Sequence, residues 1–112
     1  MSWELRYLPE AEKDLLKLDK SQSIQVLKAI KKVQQNPLPV TEGGYGKPLG
    51  NHISTSLSGL LKIKLRALGI RVVYRLIRTE TVMQIIVIGI RADEEVYELA
   101  QKRVESGSAG NK

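Results

Sequence analysis

The segment 59–76, GLLKIKLRALGIRVVYRL, decides how the chain folds. In its first half Leu61, Ile63 and Leu65 alternate with Lys62, Lys64 and Arg66. That period of two is what a strand with one apolar and one polar face requires. Gly69 closes a turn, and the chain returns with Val72, Tyr74 and Leu76 on one face and Arg71, Val73 and Arg75 on the other. The result is a hairpin whose two lysines share a face, roughly 7 Å apart at the backbone, with Arg71 beside them. Every charged side chain in the segment is basic.

Outward from the hairpin, a second turn near Thr79 to Thr81 leads into VMQIIVIGI, Val82–Ile90. So apolar and β-branched a run reads as a strand covered on both faces in the middle of a sheet. On the N-terminal side, Trp3, Leu5 and Tyr7 alternate with Glu4, Arg6 and Leu8 as a short half-buried strand. Pro9 suits a first helical turn, and Ala11, Leu15 and Leu18 give the following helix one apolar face. Ser21 or Ser23 offers a cap for a second helix with apolar positions Val26, Leu27, Ile30 and Val33, ended by Asn36 and Pro37. Lys28, Lys31 and Lys32 read as its solvated face.

Residues 36–58, rich in Gly, Pro, Ser and Thr, read as a long connecting loop with a short ordered turn near Pro48 and Leu49. A last helix follows, with Asp93 as its cap and Val96, Leu99, Ala100 and Val104 on one face. The order β-α-α-β-β-β-α predicts an α+β domain over residues 1–105. It would carry a small, mainly antiparallel four-stranded sheet, a two-helix hairpin on one face and a C-terminal helix. The other face would be open and hold Lys62, Lys64, Arg71 and Arg91. Residues 106–112, SGSAGNK, have the composition of a disordered tail.

Composition narrows the function. The 112 residues include no cysteine and one histidine, His52, so thiolate metal sites and disulfides are excluded and a zinc site has little to build on. No metal and no cofactor are expected. MSWELRYL has no apolar run of a leader, and no stretch approaches the roughly 20 apolar residues of a membrane span, so the expected location is the cytoplasm. Net charge is +6, and from Gly43 to Thr79 there is no Asp or Glu. A patch of one sign attracts polyanions: nucleic acid first, then an anionic membrane, then an acidic protein.

An exposed strand face needs polar residues in any case, and lysine commonly guards sheet edges. The functional reading gains from convergence, because basic residues of successive segments meet on one face. If the anion is RNA, strand cleavage by the ribose 2′-OH needs a base for that hydroxyl, an acid for the leaving 5′-oxygen and cations for the crowded phosphate. His52 lies in the loop and Glu94 and Glu95 open a helix, so the lysines must be considered. Neighbouring cations disfavour the charged form of a lysine, which makes a clustered lysine usable as a base. Arg71 and Lys64 suit phosphate oxygens, and Tyr97 suits stacking on a base, although packing is the plainer role for a tyrosine in a first helical turn. Tyr7 and Tyr74 fall on core faces; Tyr45 lies among Gly43, Gly44 and Gly46, which hint at phosphate cradling but, without a preceding strand and a following helix, form a nonspecific motif.

Taken in order, PEAEKDLLKLD, GKPLGN, LSGLLKIKLR, GIRVVYRLI, IIVIGIRADEEVY and the closing helix resemble the RelE/ParE superfamily of bacterial type II toxins, and more closely its RelE branch, from about Trp3 to Val104. The resemblance implies a ribosome-dependent endoribonuclease, an mRNA interferase that cuts the A-site codon and leaves a 2′,3′-cyclic phosphate. By position it implies Lys62 as general base, Lys64 as phosphate stabiliser, Arg71 as transition-state stabiliser, Arg91 as acid or leaving-group stabiliser and Tyr97 as the residue that positions the substrate. Arg66, Arg75 and Lys47 join as RNA-binding cations. Ile90 departs from members with a second basic residue before the arginine. The resemblance further implies a RelB-like cognate antitoxin, the 70S ribosome and mRNA as partners, operator DNA as a target of the toxin-antitoxin complex, and no membrane. The alternative within the superfamily is a ParE-like inhibitor of DNA gyrase, and outside it a basic RNA-binding module without chemistry.

Overall fold

The computed structural model describes residues 3–48, 60–90 and 93–110. Strand β1 (Glu4–Tyr7) leads directly into helix α1 (Pro9–Leu16), followed by α2 (Lys20–Gln34). A 3-10 turn at Val40–Glu42 precedes a two-residue strand, β2 (Lys47–Pro48). Strands β3 (Leu60–Leu65), β4 (Ile70–Ile77) and β5 (Val82–Gly89) follow, and α3 (Asp93–Gly110) closes the chain, running into the segment read as a tail. None of the described helices is long and apolar enough to cross a membrane.

The sheet has five strands in the order β1-β5-β4-β3-β2, where four, mainly antiparallel, were expected. Two features account for the difference. β1 pairs in parallel with β5, Glu4 opposite Val82 through Tyr7 opposite Ile85, which makes the sheet mixed. β2, inside the segment read as loop, pairs antiparallel with β3. β3, β4 and β5 form the expected antiparallel meander, and β5 lies between β1 and β4, which explains its continuous apolar run.

Period-two alternation sends the strand residues to two cores. Toward α1 and α2, Leu61, Val72, Tyr74, Met83 and Ile85 pack with Ala11, Val26, Ile30 and Val33. Toward α3, Leu60, Val73, Ile86 and Val87 pack with Val96, Tyr97 and Ala100. The face expected to be open is therefore partly roofed by α3. Leu27, assigned to the apolar face of α2, is 40% exposed and lies at its margin. The cap of α2 is Asp19, not Ser21 or Ser23: its Oδ1 accepts from the Gln22 amide at 2.8 Å while the Gln22 side chain accepts from the Asp19 amide at 3.2 Å. This reciprocal box satisfies two of the amides a helix start leaves without partners.

Candidate functional site

The hairpin β3–β4 sets the cations in rows across the sheet. Gly69 takes φ +67° in its turn, a conformation in which a side chain is strained. The register that follows places Lys64 opposite Arg71 and Lys62 opposite Val73. Residues directly opposite on an antiparallel pair share a face, so Lys62, Lys64 and Arg71 stand together, as their alternation predicts. Lys47 on β2 faces Lys62 across the next ladder and extends the row by one cation. Beside the turn, Lys64, Leu65, Arg66, Gly69, Ile70 and Arg71 line a recess of about 250 Å³. The Arg71 Nη1 donates back to the Gly69 carbonyl at 3.5 Å, a long bond that leaves the guanidinium folded over the turn.

The remaining candidates lie at graded distance from this centre. The Lys62 Nζ sits over the Tyr97 ring, 5.5 Å from its centroid, in the geometry in which a ring face attracts a cation. Tyr97 itself is only 2% exposed, packed in the core beneath α3. Its ring meets the site through Lys62, and the packing role considered for it is the one seen. Arg66 is exposed at the hairpin turn. Arg75, opposite Gln84 in the register, donates to its side chain at 2.7 Å and lies one row beyond the lysines. Arg91 and His52 lie outside the described residues, as does the side chain of Asp93. Ile90, just after the Gly89 that pairs with Arg71, is 55% exposed.

The position of Lys47 depends on a loop whose order the sequence reading missed. The Tyr74 hydroxyl, buried in the sheet, donates to the Pro37 carbonyl at 2.8 Å. Burial pushes the ionisation of this phenol well above its ordinary range. Gly46 passes so close to that hydroxyl that a Cβ would collide with it, and Gly44 is pressed in the same way on the Leu38 carbonyl. Gly44 and Gly46 thus serve close packing, while Gly43 takes a positive φ of 87° with open space around it. Outside, Arg78 forks onto Glu42 with bonds of 3.0 and 2.9 Å, and this bond holds the Glu42 carboxyl below its ordinary range. The loop is thus tied at Pro37 and at Glu42, and β2 is delivered to the edge of β3. The only sequence signals were the glycine spacing and the tyrosine on the core face.

Chemically, the site offers several cations on a rigid strand surface, with an ammonium held over an aromatic ring and a guanidinium at a turn. One-sign charge of this kind attracts polyanions. Among the described residues, no three His, Asp or Glu side chains gather as a metal ion would need.

Residues 5–95 match the family model of the ParE toxin of the type II toxin-antitoxin system parDE. A RelE-like toxin protein of Escherichia coli is 33% identical over 108 residues, covering 93% of this chain and 99% of that protein. A double arginine-to-alanine variant of the Escherichia coli toxin RelE in the free state superposes with a TM-score of 0.72 at 28% identity, over 93% of this chain and 99% of that one. The same variant in complex with an antitoxin RelBc peptide superposes with a TM-score of 0.65 at 27% identity, over 89% and 95% of the two chains. The strand carrying Lys62 and Lys64, the turn at Gly69 and the strand carrying Arg71 all fall inside the matched span, and the chain belongs to the RelE/ParE superfamily of type II toxins.

Proposed function

We propose that this toxin is a ribosome-dependent endoribonuclease that cleaves mRNA in the ribosomal A site. The observation that carries the reading is the row in which Lys47 faces Lys62 and Lys64 faces Arg71 on adjoining strands. Lys62, acting from its neutral amine form, takes the proton of the ribose 2′-OH and becomes the ammonium, while the 2′-oxygen attacks the adjacent phosphorus. Lys64 and Arg71 hold the non-bridging oxygens as charge builds on them, the guanidinium by its planar fork and the ammonium as a point charge. The bond to the 5′-oxygen breaks, and Arg91, assigned by its place in the sequence alone, supplies the leaving oxygen with a proton or with charge stabilisation. The products are a 2′,3′-cyclic phosphate and a 5′-hydroxyl. Tyr97 acts by seating Lys62, and Lys47, Arg66 and Arg75 extend the grip on the backbone.

A RelB-like antitoxin encoded with the toxin is the proposed restraint. An acidic, partly disordered chain suits the same cationic face, and the pair together would bind operator DNA. The description of the matching family model favours one second reading, inhibition of DNA gyrase in the manner of ParE toxins.

The two readings separate in a translation extract. Under the first, added toxin shortens a reporter mRNA only while it is being translated, the upstream fragments end in a 2′,3′-cyclic phosphate, and gyrase supercoiling is unaffected. Trapped gyrase-DNA complexes with intact mRNA would establish the second reading and defeat the first.

A further inference from the structure

Where β1 ends at Tyr7, the second half of β5 loses its parallel neighbour. The register between β4 and β5 slips at the same place: Val73 is opposite Val87 and Tyr74 opposite Ile85, so Ile86 is an extra residue. A bulge of this kind turns the strand's hydrogen-bonding groups over. It directs the Ile86 carbonyl and the Ile88 amide to the vacated edge, and an open sheet edge has to be covered.

Two charged side chains from different helices do so. Asp14 on α1 accepts from the Ile88 amide at 3.1 Å, and Arg103 on α3 donates to the Ile86 carbonyl at 2.9 Å. They then join each other, Arg103 Nη1 to Asp14 Oδ2 at 2.6 Å and Nη2 to Oδ1 at 3.3 Å. Both side chains are nearly withdrawn from water, at 13% and 12% exposure. A desolvated ion pair adds little net stability, since the loss of hydration offsets the attraction. What a forked, hydrogen-bonded pair supplies is direction.

Val96, Tyr97 and Ala100 hold the helix on the sheet through apolar contact, which is non-directional and permits rotation or sliding. Tyr97 precedes Arg103 by six residues, about 9 Å along the axis at 1.5 Å per residue, and carries the Lys62 ammonium on its ring. The seat of α3 therefore sets the place of Lys62.

We infer that the Asp14–Arg103 pair is a positioning device for the cationic site, fixing α3 on the bulged edge of β5 and, through Tyr97, the Lys62 ammonium. Its consequence for cleavage rests on the proposed nuclease reading; its consequence for the place of Lys62 rests on geometry alone.

The test compares wild type with Arg103→Met, Arg103→Lys and Asp14→Asn by three readouts. They are the NMR shift of the Lys62 ε-methylene, which reports the ring current of Tyr97, amide exchange in residues 96–104, and kcat and KM on programmed ribosomes. In Arg103→Met the Lys62 resonance is expected to move, the α3 amides to exchange about tenfold faster or more, and kcat to fall about tenfold or more with KM within twofold, as misplacement of a reacting group costs. Arg103→Lys should recover part of each. An unmoved Lys62 resonance overturns the inference, and so does an unchanged kcat in a variant whose resonance has moved. Should Arg103→Met fail to fold, Asp14→Asn carries the same comparison, since its carbonyl still accepts from the Ile88 amide. If wild type itself cleaves nothing, the nuclease reading fails, while the resonance and exchange still decide whether the pair seats Lys62.

Discussion

The two faces of the sheet are built from alternate residues of the same strands, yet one is a continuous core and the other is divided. Toward the helical hairpin, Leu61, Val72, Tyr74, Met83 and Ile85 meet an unbroken apolar layer from α1 and α2. Toward α3, the apolar residues narrow to Leu60, Val73, Ile86 and Val87, and the rows around them carry Lys47, Lys62, Lys64, Arg71 and Arg75. Alternation lets a strand serve both purposes at once, because its two faces are chemically independent. The hairpin face supplies the rigidity that lets the cations of the other face stay close in spite of their repulsion. One face should thus govern stability and the other activity.

Truncation on the hairpin face should break the fold and spare the chemistry. Ile85→Ala, at a fully buried position, is expected to cost about 2–5 kcal/mol of stability, read by denaturant unfolding, while the folded fraction keeps its wild-type kcat. Lys62→Ala should do the reverse. Cleavage should fall on the order of 10² to 10³, as loss of a general base does, with the melting temperature near that of wild type.

Between these extremes lies the loop that serves both faces. Tyr74→Phe removes the donor to the Pro37 carbonyl and should cost about 1–3 kcal/mol, the penalty of an acceptor left buried without its bond. Its pH dependence has a definite sign. The folded state raises the ionisation of Tyr74, so its contribution is complete below the ordinary tyrosine pKa of about 10 and is lost as pH rises beyond it; Tyr74→Phe should flatten that alkaline limb of the stability curve. The smallest effect belongs to Glu42→Gln at the exposed Arg78 pair. Glu42 is held below its ordinary range, so its contribution is present above about pH 4.3 and fades as pH falls; wild type and Glu42→Gln should differ slightly in neutral melts at low salt and converge in acid.

Much of this division was legible in the sequence because it is written locally. Lys62 and Lys64 alternate with Leu61, Ile63 and Leu65, and that alternation alone placed them on one face. The apolar run Val82–Gly89 placed β5 inside the sheet. What the sequence hid is non-local. The parallel partner of a four-residue strand carries no mark of its own, and a two-residue strand such as Lys47–Pro48 is too short to show a period. The bulge at Ile86 vanished because a run of apolar residues has no alternation for an extra residue to interrupt. Nothing in the local pattern links Asp14 to Arg103, 89 positions away; the fold alone brings them to one edge. The roof formed by α3 was missed for a related reason: an amphipathic helix shows that it packs, not against which face.

The claim that the cationic row acts on RNA is tested most directly by primer extension across an mRNA held in programmed 70S ribosomes. Wild type and Lys62→Ala are compared, with naked mRNA as control. The account predicts cuts confined to the A-site codon, absent from naked mRNA and reduced on the order of 10² or more by the substitution. Wild-type cuts that persist undiminished in Lys62→Ala, or no cuts under any condition, would contradict it.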